Sequence, residues 1–177
     1  VQPDGAFLYF AGAPSDDPLH QFRIWRARGD GSSPEPLPGI PEVAAGYAVP
    51  SPDGHTLIYA ELLGSGTLHM YDLVAMAPLP FQRPGHSPSW SPDGRRIAYW
   101  QDGEIYLMDP DGSNTTALTA AGPAASVNLG FDWSGDGHWL VVTASASGRL
   151  TLIETSTGLA LPLPPLDFGL EWPSWRH

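Results

Sequence analysis

The chain has 177 residues, 42% of them hydrophobic, which is enough for a real core and too many for a disordered tail. Acidic residues outnumber basic ones 19 to 8, a net charge of −11 with no basic stripe to offset it, and this argues against nucleic acid as a partner. Cys is absent, which removes disulfides, thiolate nucleophiles and Cys-ligated metals, and no apolar run approaches the ~20 residues of a transmembrane helix.

Gly and Pro number 20 each, a composition that suits short strands joined by tight turns. The chain opens at Val1 without a Met, so a processed or excised product is expected. Gln2-Pro3-Asp4-Gly5 is the loose first copy of a turn that returns as Ser51-Pro52-Asp53-Gly54, Ser91-Pro92-Asp93-Gly94 and Ser134-Gly135-Asp136-Gly137. The four Asp residues lie 49, 40 and 43 positions apart. A period near 40 predicts an array of small supersecondary units. Pro pre-sets φ at the second turn position, Asp can accept from nearby backbone N–H groups, and Gly takes the left-handed position. The turn Asp residues are therefore read as structural and not catalytic.

In chain order, Phe7–Phe10 and Phe22–Trp25 predict the strands of a first unit. The connection between them, Ala11 to Gln21, is the longest in the chain, and its Pro and Asp content suits a solvated interaction loop. The second unit runs from Leu57–Ala60 through Gly64-Ser65-Gly66 to Leu68–Tyr71. The third has Pro88-Ser89-Trp90, Arg96–Trp100, Ile105–Met108 and Thr116–Thr119. Its Asp102-Gly103 dipeptide is a hairpin signal, because both turn positions want φ > 0. The fourth has Trp139–Thr143, a Ser147-Gly148 turn and Leu150–Ile153. The presumed last strands of the first, second and fourth units are studded with Pro (Pro36, Pro38, Pro78, Pro80, Pro162, Pro164, Pro165), which places the last strand at an edge, where Pro also blocks edge-to-edge aggregation.

The run Pro88-Ser89-Trp90-Ser91-Pro92-Asp93-Gly94-Arg95-Arg96-Ile97-Ala98-Tyr99, followed by Ile105–Asp109 and Asp111-Gly112, resembles the WD-like repeat of TolB-type β-propellers. The same repeat occurs in propeller domains attached to serine peptidases. The resemblance covers nearly the whole chain, although Pro50 stands at the Trp position of the second unit and Gly135 at the turn Pro of the fourth. It implies an all-β propeller: four-stranded antiparallel blades around a central channel, with the first strand innermost. The expectation is a single domain over residues 1–177 with about four blades, at roughly 1–40 plus 168–177, 41–82, 83–122 and 123–167. Glu171-Trp172-Pro173-Ser174-Trp175 matches Pro88-Ser89-Trp90, and the first unit has no inner strand of its own, so the C-terminal strand is expected to close the first blade. Two alternatives stay open: a fragment of a larger ring, or a homodimer in which two chains complete one ring of eight.

For chemistry, the chain has no Gly-x-Ser-x-Gly elbow, phosphate loop or dinucleotide fingerprint, and no catalytic residue or cofactor is expected. Asp109-Pro110-Asp111-Gly112-Ser113-Asn114 looks like an oxygen-rich calcium loop but lacks its ligand spacing and closing Glu, so a turn is expected there. His20, His55, His69, His86, His138 and His177 form no His-x-x-x-His pair, and no metal site is expected. Trp90, Trp133 and Trp175 share one repeat position and are read as blade-packing residues. The stretches leading into the inner strands open, in a propeller, onto one face of the channel. Tyr47, His86, Asn128, Phe131, Asp167 and Trp172 stand there, as a candidate face for a peptide, a glycan or a partner loop. Simple plugging of the channel mouth is the equal alternative. The expected function is a non-enzymatic scaffold with a protein partner, and the TolB resemblance implies a bacterial complex in the periplasm or outside the cell. An accessory propeller domain of a serine hydrolase or peptidase, or a glycan- or peptide-binding module, is the alternative.

Overall fold

A computed structural model describes residues 7–13, 22–41, 45–61, 66–119, 130–144 and 149–164, and every element among them is a strand or a turn. β1 (Phe7–Gly12), β2 (Arg23–Arg28) and β3 (Glu35–Pro36) form the first sheet, in the order β1-β2-β3. β4 (Ala45–Pro50), β5 (Thr56–Glu61), β6 (Thr67–Asp72) and β7 (Ala77–Pro84) form the second, in chain order. β8 (His86–Trp90), β9 (Ile97–Gln101), β10 (Glu104–Met108) and β11 (Thr116–Ala117) form the third, and β12 (Phe131–Trp133), β13 (Trp139–Ala144), β14 (Arg149–Glu154) and β15 (Ala160–Pro162) the fourth, again as meanders. All pairings are antiparallel. This is the blade pattern of a β-propeller, with three strands described in the first sheet and four in each of the others. Residues 168–177, expected to supply the missing strand of the first blade, lie outside the described residues, as do Asp4 and most of the Ala11–Gln21 connection.

Local chemistry explains the meanders. Asp102 and Gly103 both sit at positive φ (51° and 84°), as a two-residue hairpin matching the strand twist requires, and Gln101 and Glu104 pair across them. The last strand of each blade lies at a sheet edge, and in three of the four it carries prolines: Pro36 in β3, Pro78, Pro80 and Pro84 in β7, and Pro162 in β15, while β11 has none.

The recurring turn is a closed hydrogen-bond circuit. Ser91 Oγ donates to Asp93 Oδ1 (2.7 Å) and accepts from the Arg96 N–H (2.9 Å), while Asp93 Oδ1 also accepts from the Arg95 N–H (3.0 Å). The Gly94 N–H returns to the Ser91 carbonyl at 2.9 Å. Ser51 with Asp53, and Ser134 with Asp136, repeat every bond. Each Ser is buried although polar, because both of its hydrogen-bonding functions are used. The Ser hydroxyl is the largest influence holding these three carboxyls below the usual carboxylate range. His55, Arg95 and His138 point outward and lie near the Asp of their own turn. Ser91→Ala should cost roughly 1–3 kcal/mol, since it takes the side-chain acceptor from the part-buried Arg96 N–H and removes one of the two bonds that Asp93 Oδ1 accepts. Urea unfolding of the variant measures this; a cost near zero would show the circuit to be ornamental.

The chain divides into two units, Val1–Trp90 and Ser91–His177. In the first, Ile24, Leu37, Ala45, Leu57, Tyr59 and Tyr71 bury a core between the first two sheets. In the second, Ala98, Trp100, Ile105, Leu107, Trp133, Leu140, Val142 and Ile153 do the same, with Leu118 and Phe131 packed against them. Period-2 alternation places Ala98 and Trp100 on the same face of β9. Trp90 and Trp133 are buried, as expected for blade-packing residues. Trp90 also donates from Nε1 to the Val49 carbonyl of the preceding blade, at 3.2 Å.

Candidate functional site

The inner strands depart from ideal geometry in one recurring place. Tyr47 lies within a register shift of β4 between Gly46 and Val49 and has φ 52°. Ser87, at the same repeat position in β8, has φ 50°. A bulged strand with a left-handed residue re-aims a side chain out of the regular alternation. His86 lies beside Ser87, with Nδ1 3.0 Å from Ser87 Oγ, and its half-buried setting pushes the imidazole pKa below the ordinary value. Tyr47 and His86 thus stand on the strands themselves and not in the stretches before them. Phe131 opens β12, and its ring lies 6.4 Å from that of Trp100, tilted by 55°, so packing accounts for it. Asn128, Asp167 and Trp172 lie outside the described residues.

A second feature is a cleft of about 500 Å³ on the second blade, lined by Gly39, Pro41, Tyr59, Glu61, His69, Met70 and the β7 run Pro78–Gln82. Tyr59 and Glu61 share one face of β5, and His69 faces Tyr59 across the ladder. The Tyr59 and His69 rings stack with centroids 5.2 Å apart and planes 17° apart. His69 Nε2 lies 3.4 Å from Glu61 Oε2. Both side chains keep part of their surface in the cleft, 17% for His69 and 27% for Glu61. Burial, reinforced by the Glu61 charge, pushes the Tyr59 hydroxyl up to about 12, so it stays a neutral phenol at physiological pH. The wall is held close by Gly39, which sits at φ 73°; a Cβ there would come within 3.0 Å of Pro78 Cδ. Composition and spacing did not single out Glu61 or the cleft. The available signal was comparison across the repeat, because β9 carries Tyr99 and Gln101 where β5 carries Tyr59 and Glu61.

The Asp109–Asn114 segment is a turn, as expected. Asp111 Oδ1 accepts from the Ser113 N–H (2.8 Å) and Asp109 Oδ2 from Asn114 Nδ2 (2.7 Å), and the Gly29–Ser33 segment repeats the first of these bonds through Asp30 and Ser32. Among the described residues, no group of three or more His, Cys, Asp or Glu side chains is placed to hold a metal. No helix among them is long and apolar enough to cross a membrane.

Residues 63–140, less than half of the chain, match the family described as the dipeptidyl peptidase IV N-terminal region. An uncharacterized protein of Agrobacterium fabrum is 31% identical over 110 residues, which is 58% of this chain and 36% of that protein. Among solved structures, TolB from Acinetobacter baumannii aligns with a TM-score of 0.72 at 18% identity, over 94% of this chain and 43% of that one. A chain from a structural and mechanistic study of two prolyl endopeptidases aligns with a TM-score of 0.65 at 15% identity, over 94% of this chain and 29% of that one. The chain therefore spans less than half the length of each of these proteins. At such identities the structural likeness establishes the fold, which is a TolB-type β-propeller similar also to the propellers of peptidases.

Proposed function

We propose that the chain is a protein-binding propeller module of a bacterial complex outside the cytoplasm, and that it acts without catalysis of its own. The observation that carries this reading is the repeated left-handed break at the start of the inner strands, at Tyr47 and Ser87. A non-Gly residue in that conformation costs roughly 1–2 kcal/mol. Strain of this kind persists where the surroundings over-determine it, and it clusters at binding features. The rigid blades repeat, while Tyr47, His86 and Ser87 do not, which is how a constant scaffold presents a variable face. Trp172 stands at the same repeat position, three residues before Trp175, and the proposed face extends to it, to Asn128 and to Asp167. The compartment rests on the likeness to TolB alone.

The test is a photo-reactive phenylalanine analogue placed singly at positions 47, 86 and 95 in the cells that make the chain. Positions 47 and 86 are expected to yield the same protein adduct and position 95, on the outward turn, none. Adducts from 95 alone, or from none of the three, would overturn the reading. In the same assay Trp172→Ala should reduce the adduct while leaving the melting temperature within a degree or two.

The match to the dipeptidyl peptidase IV N-terminal region favours a second reading, an accessory propeller that filters or docks substrate for a hydrolase. A Gly-x-Ser-x-Gly segment encoded downstream of His177 would support it over the first.

A further inference from the structure

Six residues after each turn Asp, every blade carries the same cross-strand pair. Phe10 faces Trp25, Tyr59 faces His69, Tyr99 faces Tyr106, and Val142 faces Thr151. Three of the four pairs need nothing beyond packing. The second blade alone sets an imidazole in this slot and adds a carboxylate two residues on, where the third blade has Gln101. The repeat frame does not demand either group, and both open into the 500 Å³ cleft.

The electrostatics of that cleft are lopsided. Glu61 is the one carboxylate among the described residues of the lining, and the imidazole of His69 lies 3.4 Å from it. Apart from the neutral amide of Gln82, the remaining lining is apolar or flat, chiefly Tyr59 stacked on His69, Phe81, Pro41, Pro78 and Pro80. A carboxylate set among such groups is less screened than one in open water and attracts a cation strongly. The ring faces favour a cation that is itself planar and weakly hydrated. A guanidinium meets both conditions, pairing with a carboxylate through its fork and stacking on aromatic faces, whereas an ammonium is a compact, strongly hydrated point charge. A net charge of −11 steers cationic groups toward the chain in general.

We propose that the second-blade cleft captures an arginine side chain of a protein partner, with Glu61 taking the guanidinium and Phe81 and His69, the latter backed by its stack on the buried Tyr59, covering its faces. This site is separate from the inner-strand face, and either can stand without the other.

The test titrates the intact chain with N-acetyl-arginine amide and with N-acetyl-citrulline amide, which has the same shape without the charge. The arginine probe is expected to bind with a Kd on the order of 1 mM or tighter, and the citrulline probe at least about tenfold more weakly. Glu61→Gln should reproduce the citrulline loss with the melting temperature unchanged. His69→Phe, which installs an aromatic as in the first and third blades, should keep the stack and keep arginine binding. Equal binding of the two probes, no binding of the arginine probe, retention in Glu61→Gln, or loss in His69→Phe would each overturn the proposal. The citrulline comparison needs no variant, and its failure would leave the position 47 and 86 adducts untouched, so the two readings fail separately.

Discussion

Trp133→Ala is expected to lower the unfolding free energy by about 3–5 kcal/mol, the largest effect of any single truncation in the Ser91–His177 unit. The indole is 2% exposed and belongs to the core that joins β9 and β10 to β13 and β14. Alanine would remove the contacts of a whole indole at the place where two sheets meet. The surrounding Trp100, Leu140 and Val142 are held by their own ladders and can follow only partly, so a cavity remains. Urea unfolding followed by tyrosine and tryptophan fluorescence gives the number. A loss under about 1 kcal/mol would mean that the blades slide together over the gap, and that the Trp position is not what spaces them.

The second large effect concerns a glycine. Gly158 lies in the turn before β15 at φ 73°, and a Cβ built on it would come within 2.7 Å of the Leu118 carbonyl oxygen. The obstacle is backbone, which cannot rotate away as a side chain can. Gly158→Ala therefore combines the left-handed penalty of roughly 1–2 kcal/mol with overpacking of roughly 1–3 kcal/mol, about 2–5 kcal/mol together. Gly31, in the matching turn of the first blade at φ 81°, has nothing within 4 Å. Gly31→Ala should show the conformational penalty alone, roughly 1–2 kcal/mol. Thermal denaturation of the two variants side by side separates the terms. Equal losses would show that the Leu118 carbonyl yields at no cost.

These cases show where the sequence was legible. Asp102-Gly103 announced its hairpin because the φ values such a turn requires are ones only a few residue types adopt easily. The Ser-Pro-Asp-Gly turns were legible for the same reason, although the Ser hydroxyl proved to be as central as the Asp: it both donates to the carboxylate and accepts from the fifth residue on. Strand ends were less visible. β1 and β2 run past Phe10 and Trp25 to Gly12 and Arg28, because ladder pairing continues through residues whose individual propensities are weak. The expected binding residues Tyr47, His86 and Phe131 lie on strands, since where a strand begins is set by its pairing with a neighbour, and the bulge at Tyr47 in particular is a relation between β4 and β5 that leaves little trace in one of them. The cleft was hidden for the same reason. Tyr59 and His69 are ten positions apart, and only the β5–β6 register makes them neighbours.

The prolines on the blade rims carry a consequence for recognition. Three of the eight residues of β7, Pro78, Pro80 and Pro84, have no N–H to offer. A peptide that extends a sheet by adding itself as one more strand relies on main-chain donors and acceptors along the whole edge. The β7 edge can supply acceptors but breaks the series of donors, so it is a poor template for any incoming backbone, whatever its sequence. A partner of this blade would then be selected by side chains meeting side chains. Affinity held in that way is set residue by residue and can be retuned by single substitutions, while the ladders beneath remain unchanged.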